Sequence, residues 1–305
     1  MALRGRSLGG VVLDEAAFMD SGVWFEVLRP ALADKQGWAL FISTPEGTAS
    51  WFYDLWNYAE EDKDWDRWSY TTIEGGNVPP EEVEAARGQL DPRTFRQEFE
   101  ASFENLSGLV AINFSEENID KKAVDIPQLP LWVGLDFNVD NMSAVGGVRV
   151  GDDLHIFHEI LLVNATTWEM ADELNHRFGL ERRKDVCPDP TGAARKTAGV
   201  GLTDHAILRK SGHRVSTPKS PWKIRDKVNC VNTAILDGTG ARRLFIHPRC
   251  KETIKSLRTL VYDDNGLPNK KLGVDHMFDA LGYLCLMKFN LNKGIKIGQS
   301  NFKLY

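Results

Sequence analysis

The chain has 305 residues, 42% hydrophobic and 26% charged, with a formal net charge of −6, which leaves room for one large or two modest domains of ordinary globular composition. No run of about 18 apolar residues occurs, which excludes a transmembrane helix, and the basic start MALRGRSLGG lacks the apolar core of a signal peptide. Cys187, Cys230, Cys250 and Cys285 stand far apart without CxxC spacing, a pattern of reduced thiols rather than zinc ligands.

In chain order, Gly9–Asp14 (GGVVLD) and Trp38–Ser43 (WALFIS), the second closed by Thr44-Pro45, read as short apolar strands. The helical stretch between them points to a parallel α/β sheet. Trp51 to Trp68 is aromatic and acidic, with its tryptophans expected to pack. Residues 80–105 read as helix broken at Asp91-Pro92, and 106–130, with Gly108, Pro127 and Pro130, as a linker. A new domain then opens on the strand Leu131–Phe137. A hairpin of 143–150 and 154–162 turns at Gly151-Asp152-Asp153. Helix at 166–179, strand at 185–188, helices near 203–211 and 221–236, strand at 243–247 and helices at 249–261 and 274–289 follow. A hairpin followed by βα units fits a ribonuclease H-like α/β domain. The expected organisation is therefore 1–105, linker 106–130, and 131–305.

The charge is divided along the same line. Residues 1–130 hold 11 basic and 24 acidic residues, whereas 131–305 hold 26 and 19. An acidic front and a basic back suggest different partners.

Metal-assisted phosphodiester cleavage needs carboxylates converging on two ions about 4 Å apart, one activating water and the other stabilising the leaving oxygen. Mg²⁺ and Mn²⁺ favour oxygen ligands, held best on strand ends and a neighbouring helix. Three places supply them. Asp136 ends the apolar run LWVGLD. Asp189 follows the strand at 185–188 and stands between Pro188 and Pro190, which restrict its backbone. In VDHMFDALGY, Asp275 and Asp279 are four apart and share a helix face, with His276 between them. Like charges at that spacing repel unless a cation intervenes. No basic partner is evident within these motifs, so metal is expected to stabilise the cluster, and Asp279→Ala to melt no lower than the parent without metal.

Taken together these segments resemble the large terminase subunits of tailed phages. VVLDEAAF (11–18) resembles that family's Walker B segment and FISTPEG (41–47) its ATPase coupling motif. TFRQEFEASFENLSGLV (94–110) is similar to the junction before its nuclease domain, and WVGLDFN, CPDPTGAARK and VDHMFDALGY to its three nuclease motifs, in order. The resemblance implies a ribonuclease H-like nuclease domain preceded by the C-terminal part of a P-loop ATPase domain. It implies that Asp14 holds the nucleotide's Mg²⁺, Glu15 handles the attacking water, and Ser43 and Thr44 couple hydrolysis to movement. Asp136, Asp189 and Asp279 become ligands for Mg²⁺ or Mn²⁺, with Asp275 and His276 beside them.

The basic stretch, Arg182, Arg183, Lys184, Arg195, Lys196, Lys219, Lys223, Arg225 and Lys227, is expected to hold the backbone of double-stranded DNA. The resemblance further implies cutting of concatemeric viral DNA during packaging, the small terminase subunit and portal protein as partners, no membrane, and location in the host cytoplasm and at the procapsid portal. One feature departs from the family. No GxxxxGK[ST] phosphate loop occurs, so the chain is read as starting within the ATPase fold, with ATP used only by the complete motor. Two other readings stay open: a ribonuclease H-fold nucleotide-binding protein, for which GLDFNVDNMSAV (134–145) is a loose match, and a catalytically inactive structural or motor fragment.

Overall fold

The structure is a computed structural model that describes residues 6–48, 50–104, 108–138, 140–193, 202–218, 222–263 and 265–289. It divides into two compact units. The first comprises residues 1–88, 92–108 and 262–267, the second residues 89–91, 109–261 and 268–305.

In the first unit, strand β1 (Gly10–Asp14) pairs in parallel with β2 (Trp38–Ile42), Asp14 standing opposite Ile42. Helix α1 (Arg29–Ala33) leads from one strand towards the other. Helices α2 (Trp51–Glu61), α3 (Thr72–Gly75), α4 (Pro80–Arg87) and α5 (Pro92–Phe99) follow. The helical break falls where Asp91-Pro92 placed it, because proline tolerates only a helix's first turn. Leu13, Trp24, Leu28 and Phe52 form the core, with Trp51 and Trp65 packed against it. Trp68, by contrast, is exposed.

The second unit is a six-stranded mixed sheet in the order β7-β6-β3-β4-β5-β8. Strands β3 (Leu131–Asp136), β4 (Asn141–Val150) and β5 (Asp153–Val163) form an antiparallel meander. Beyond helix α6 (Thr167–Phe178), β6 (Lys184–Pro188) pairs in parallel with β3. Helix α7 (Asp204–Lys210) leads to β7 (Arg214–Val215), which pairs in parallel with β6. Helix α8 (Ile224–Ile235) leads to β8 (Leu244–Ile246), parallel to β5. Helices α9 (Lys251–Thr259) and α10 (Asp275–Phe289) complete the unit.

The period of two along β3 divides its side chains between the sheet faces. Leu131, Val133 and Leu135 join Met170, Ala171 and Leu174 of α6 and Leu208 of α7 in one core. Gly134 turns the other way, towards α10. A Cβ there would overlap the Ala280 carbonyl and come within 2.9 Å of the Leu284 Cβ. Only glycine lets α10 approach the strand this closely. Gly134→Ala is accordingly expected to cost on the order of 3 kcal/mol, since backbone rather than a mobile side chain must yield. Urea melts at matched conditions check this, and a variant as stable as the parent would remove the close packing from the account.

The expected linker is the main departure at this level. Val110 and Ala111 are fully enclosed, and the Val110 amide donates to the Leu260 carbonyl at 2.8 Å. Buried Asn118 donates to the Ile235 and Leu244 carbonyls, each at 3.0 Å. Residues 109–130 are thus woven into the second unit. Lack of helical or strand periodicity marked them as irregular, but irregular backbone can be buried wherever side chains satisfy its polar groups.

Candidate metal centre

The parallel pairing of β3 and β6 brings two strand ends side by side. Leu135 lies opposite Pro188, and the Asp189 amide donates to the Leu135 carbonyl at 2.9 Å. Asp136 and Asp189, 53 positions apart in sequence, therefore leave adjacent strands at the same edge. Asp136 continues the Gly134 face, where α10 packs, and that helix adds Asp275 and Asp279. Asp136, Asp275 and Asp279 are buried. Asp189 is half-buried, its Oδ1 accepting from the Thr191 amide at 2.8 Å while its carbonyl accepts from His205 Nε2 at 2.8 Å.

Electrostatics tie Asp136, Asp189 and Asp279 together. Burial pushes the Asp136 carboxyl above its ordinary pKa; the His276 hydrogen bond opposes this, and the nearby charges of Asp279 and Asp189 reinforce it. His276 Nδ1 stands 3.1 Å from Asp136 Oδ2, and that hydrogen bond, more than any other influence, raises the imidazole pKa. Asn138 Nδ2 lies 3.4 Å from the same ring. Burial also pushes the Tyr283 hydroxyl up, helped by Asp189, Asp279 and Asp136, with a hydrogen bond to Asp189 contributing. Asp275 Oδ1 is buried without a hydrogen-bond partner.

These observations test whether divalent ions fit. The donors are hard carboxylate oxygens, one of them buried without a hydrogen-bond partner, and such oxygens suit Mg²⁺ or Mn²⁺. Among the described residues, however, no three of the His, Cys, Asp and Glu side chains stand together as a ready-made metal-holding group. Two of the carboxylates are already engaged. Asp136 faces His276, and Asp279 is ion-paired through Oδ1 with Lys227 of α8. The sequence expectation of a cluster without basic partners is corrected by that lysine, which comes from outside the three motifs.

The basic stretch is also partly corrected. Lys227 is buried in the carboxylate cluster, so it cannot stand on a DNA-facing surface. Lys184 is buried as well, its ammonium donating to the Gly179 carbonyl and, at 3.1 Å, to that of Arg182, and burial lowers its pKa. Arg182 is bound bidentately to Asp125 at 2.6 and 2.7 Å. Arg183 pairs with Asp185 at 3.0 Å but keeps more than half of its side chain exposed. Lys223 is exposed ahead of α8, and Arg225 is half-buried. Arg195, Lys196 and Lys219 lie outside the described residues.

Sequence reasoning missed Lys227 and Tyr283 as parts of this centre. The signal was present for the lysine: Lys227, Val231 and Ala234 recur at helical spacing, which puts a lysine on an apolar face. All four cysteines are free and buried, and burial pushes the thiols of Cys187, Cys230 and Cys250 up to about 12.

In the first unit, Asp14 and Glu15 are exposed at the end of β1, Glu15 with φ 53°. Ser43 follows β2, and its Oγ accepts from the Ala17 amide at 3.1 Å, linking the β2 end to the turn after Glu15. Thr44 is half-buried beside it. The two expected motifs therefore meet at one end of the two-stranded sheet.

Comparison with known proteins agrees across both units. A family model described as "Terminase RNaseH-like domain" matches residues 133–288, and one described as "Terminase large subunit, T4likevirus-type, N-terminal" matches residues 1–119. The terminase large subunit of Escherichia phage T5 is 25% identical over 92% of this chain, which spans 65% of that protein's length. That of Thermus phage G20c is 51% identical over 53 residues, 17% of this chain and 11% of its own. Among solved structures, the large terminase of a thermophilic bacteriophage superposes with a TM-score of 0.67 at 18% identity, covering 94% of this chain and 70% of that one. No helix among the described residues is long and apolar enough to cross a membrane.

Proposed function

The chain belongs to the phage terminase large-subunit family, and on that premise we propose that its second unit is a divalent-metal-dependent endonuclease that cuts concatemeric viral DNA during genome packaging. The observation that carries this reading is the convergence of Asp136 and Asp189, at adjacent parallel strand ends, with Asp279 of the helix packed against them.

In this reading Asp136, Asp189 and Asp279 hold the ions. Asp275 offers its orphaned oxygen from one helical turn away, and His276 orients Asp136. Bound Mg²⁺ or Mn²⁺ supplies the charge that steadies the attacking and leaving oxygens of the phosphodiester. Arg183, Lys223 and Arg225, with Arg195, Lys196 and Lys219, contact DNA phosphates. Such contacts position a duplex without reading its sequence, so the choice of cutting site falls to a partner, the small terminase subunit. The portal protein is the other partner, and the work is done in the host cytoplasm at the procapsid. In the first unit Asp14, Glu15, Ser43 and Thr44 serve ATP hydrolysis together with a phosphate loop.

The test is direct. Purified chain with supercoiled plasmid and Mn²⁺ is expected to give open circles, and EDTA to stop the reaction. Intact plasmid in both Mn²⁺ and Mg²⁺, from protein shown to be folded, defeats the reading. A second measurement needs no substrate. A ligand that binds only the folded state adds about 2.7 kcal/mol at a hundred times its dissociation constant, so millimolar Mn²⁺ is expected to raise Tm by roughly 5 °C.

A further inference from the structure

The ion pair between Lys227 and Asp279 is hard to place in a site meant for metal. Lys227 is 5% exposed, and its ammonium lies 4.8 Å from the centre of the Tyr283 ring as well as on Asp279. Its stem fills the space beside Gly282, where a Cβ would overlap the Lys227 Cγ. The lysine is thus built in by glycine on one side and an aromatic face on the other, rather than left to find a partner at random.

We propose that Lys227 is the resident cation of the metal-free cluster, held on Asp279 until a divalent ion enters and displaces it. This rests on the metal-dependent reading above. Asp136 lies close enough to Asp279 and to Asp189 for both charges to oppose its own. Without metal, a buried ammonium and a crowded carboxylate each carry a large burial penalty, and pairing relieves both. With metal, the Asp279 oxygens must turn to an ion at about 2.0–2.1 Å. An ammonium still bonded to that carboxylate would then face a divalent charge a few ångströms away, so the two occupancies exclude each other. Lysine suits such an exchange because its compact charge rides on a flexible four-carbon stem. The Tyr283 face gives the ammonium a second seat once the carboxylate is taken.

The experiment observes the lysine itself. In protein carrying ¹⁵N-labelled lysine, the metal-free sample is expected to show a slowly exchanging Lys227 ammonium signal, assigned by its loss in Lys227→Arg. Mg²⁺ titrated to saturation, with binding followed by calorimetry on the same sample, should shift that signal or abolish it. Lys227→Met should bind Mg²⁺ at least about tenfold more tightly, because no internal cation has to leave. Calorimetric binding of Mg²⁺ with an unmoved ammonium signal overturns the Lys227 proposal while leaving the metal reading intact, as does unchanged or weaker binding in a folded Lys227→Met. No Mg²⁺ binding at all overturns the metal reading and this proposal with it. If Lys227→Met does not fold, the wild-type titration still decides.

Discussion

Asp189→Asn is expected to reduce Mn²⁺-dependent plasmid nicking by at least about a hundredfold while the protein stays folded. The substitution removes one negative charge and almost nothing else. The position is held by backbone: its amide bonds Leu135 and its carbonyl accepts from His205. The side-chain oxygen that accepts from the Thr191 amide at 2.8 Å survives in asparagine. What is lost is the negative charge, which an ion needs; the hydrogen bond with the Tyr283 hydroxyl can be kept by the asparagine side chain. A melt in EDTA beside the nicking assay separates the two cases. Near-normal cutting by a folded variant would show that Asp189 is the wrong acid.

Asp279→Ala is expected to lower the metal-free melting temperature by on the order of 10 °C, the reverse of what the sequence suggests. From the sequence, Asp279 is one of four like charges, and removing it should relieve repulsion. In the structure its carboxylate neutralises Lys227, and both side chains are nearly enclosed, 12% and 6% exposed. Repulsion from Asp279 is only the third influence on Asp136, after burial and the His276 hydrogen bond. Stranding a buried charge costs about 3–5 kcal/mol, which is the larger effect. Lys227 would be left against the Tyr283 ring with no anion. Asp279→Asn, which keeps an acceptor, should fall between Asp279→Ala and the parent. A metal-free melt of Asp279→Ala at or above that of the parent would remove the ion pair from the account and restore the simple repulsion picture.

The two expectations differ in origin because their causes sit at different distances along the chain. The acids were legible because each is marked locally. An apolar run that ends in Asp at 136, an Asp held between prolines at 189, and two Asp at helical spacing at 275 and 279 are patterns within a few residues. Most elements of the second unit were legible for the same reason, strand and helix periods being short-range properties of side-chain order, whereas β7, two residues long, carries no period to read. Ser43 beside the turn after Glu15 belongs to this class too, since parallel pairing of β1 with β2 follows from two apolar strands joined through a helical stretch.

Tertiary structure decided the rest. Nothing near Asp136 announces that β6 will pair beside β3 in the register that sets Asp189 next to it; that register comes from burying both strands under α6, α7 and α10 at once. Residues 109–130 carry no period, yet Val110 and Asn118 are buried because partners at Leu260, Ile235 and Leu244 satisfy their backbone and amide groups. A count of basic residues places Lys184 and Lys227 with the DNA-facing lysines. Charge on a sequence is a scalar, whereas burial is fixed by which helix packs on which face. The sequence by itself determined that carboxylates, strands and a basic stretch are present. Only the packing of α8 and α10 determined that one of those lysines belongs to the carboxylates, because a buried charge must take the opposite charge that the fold puts within its reach.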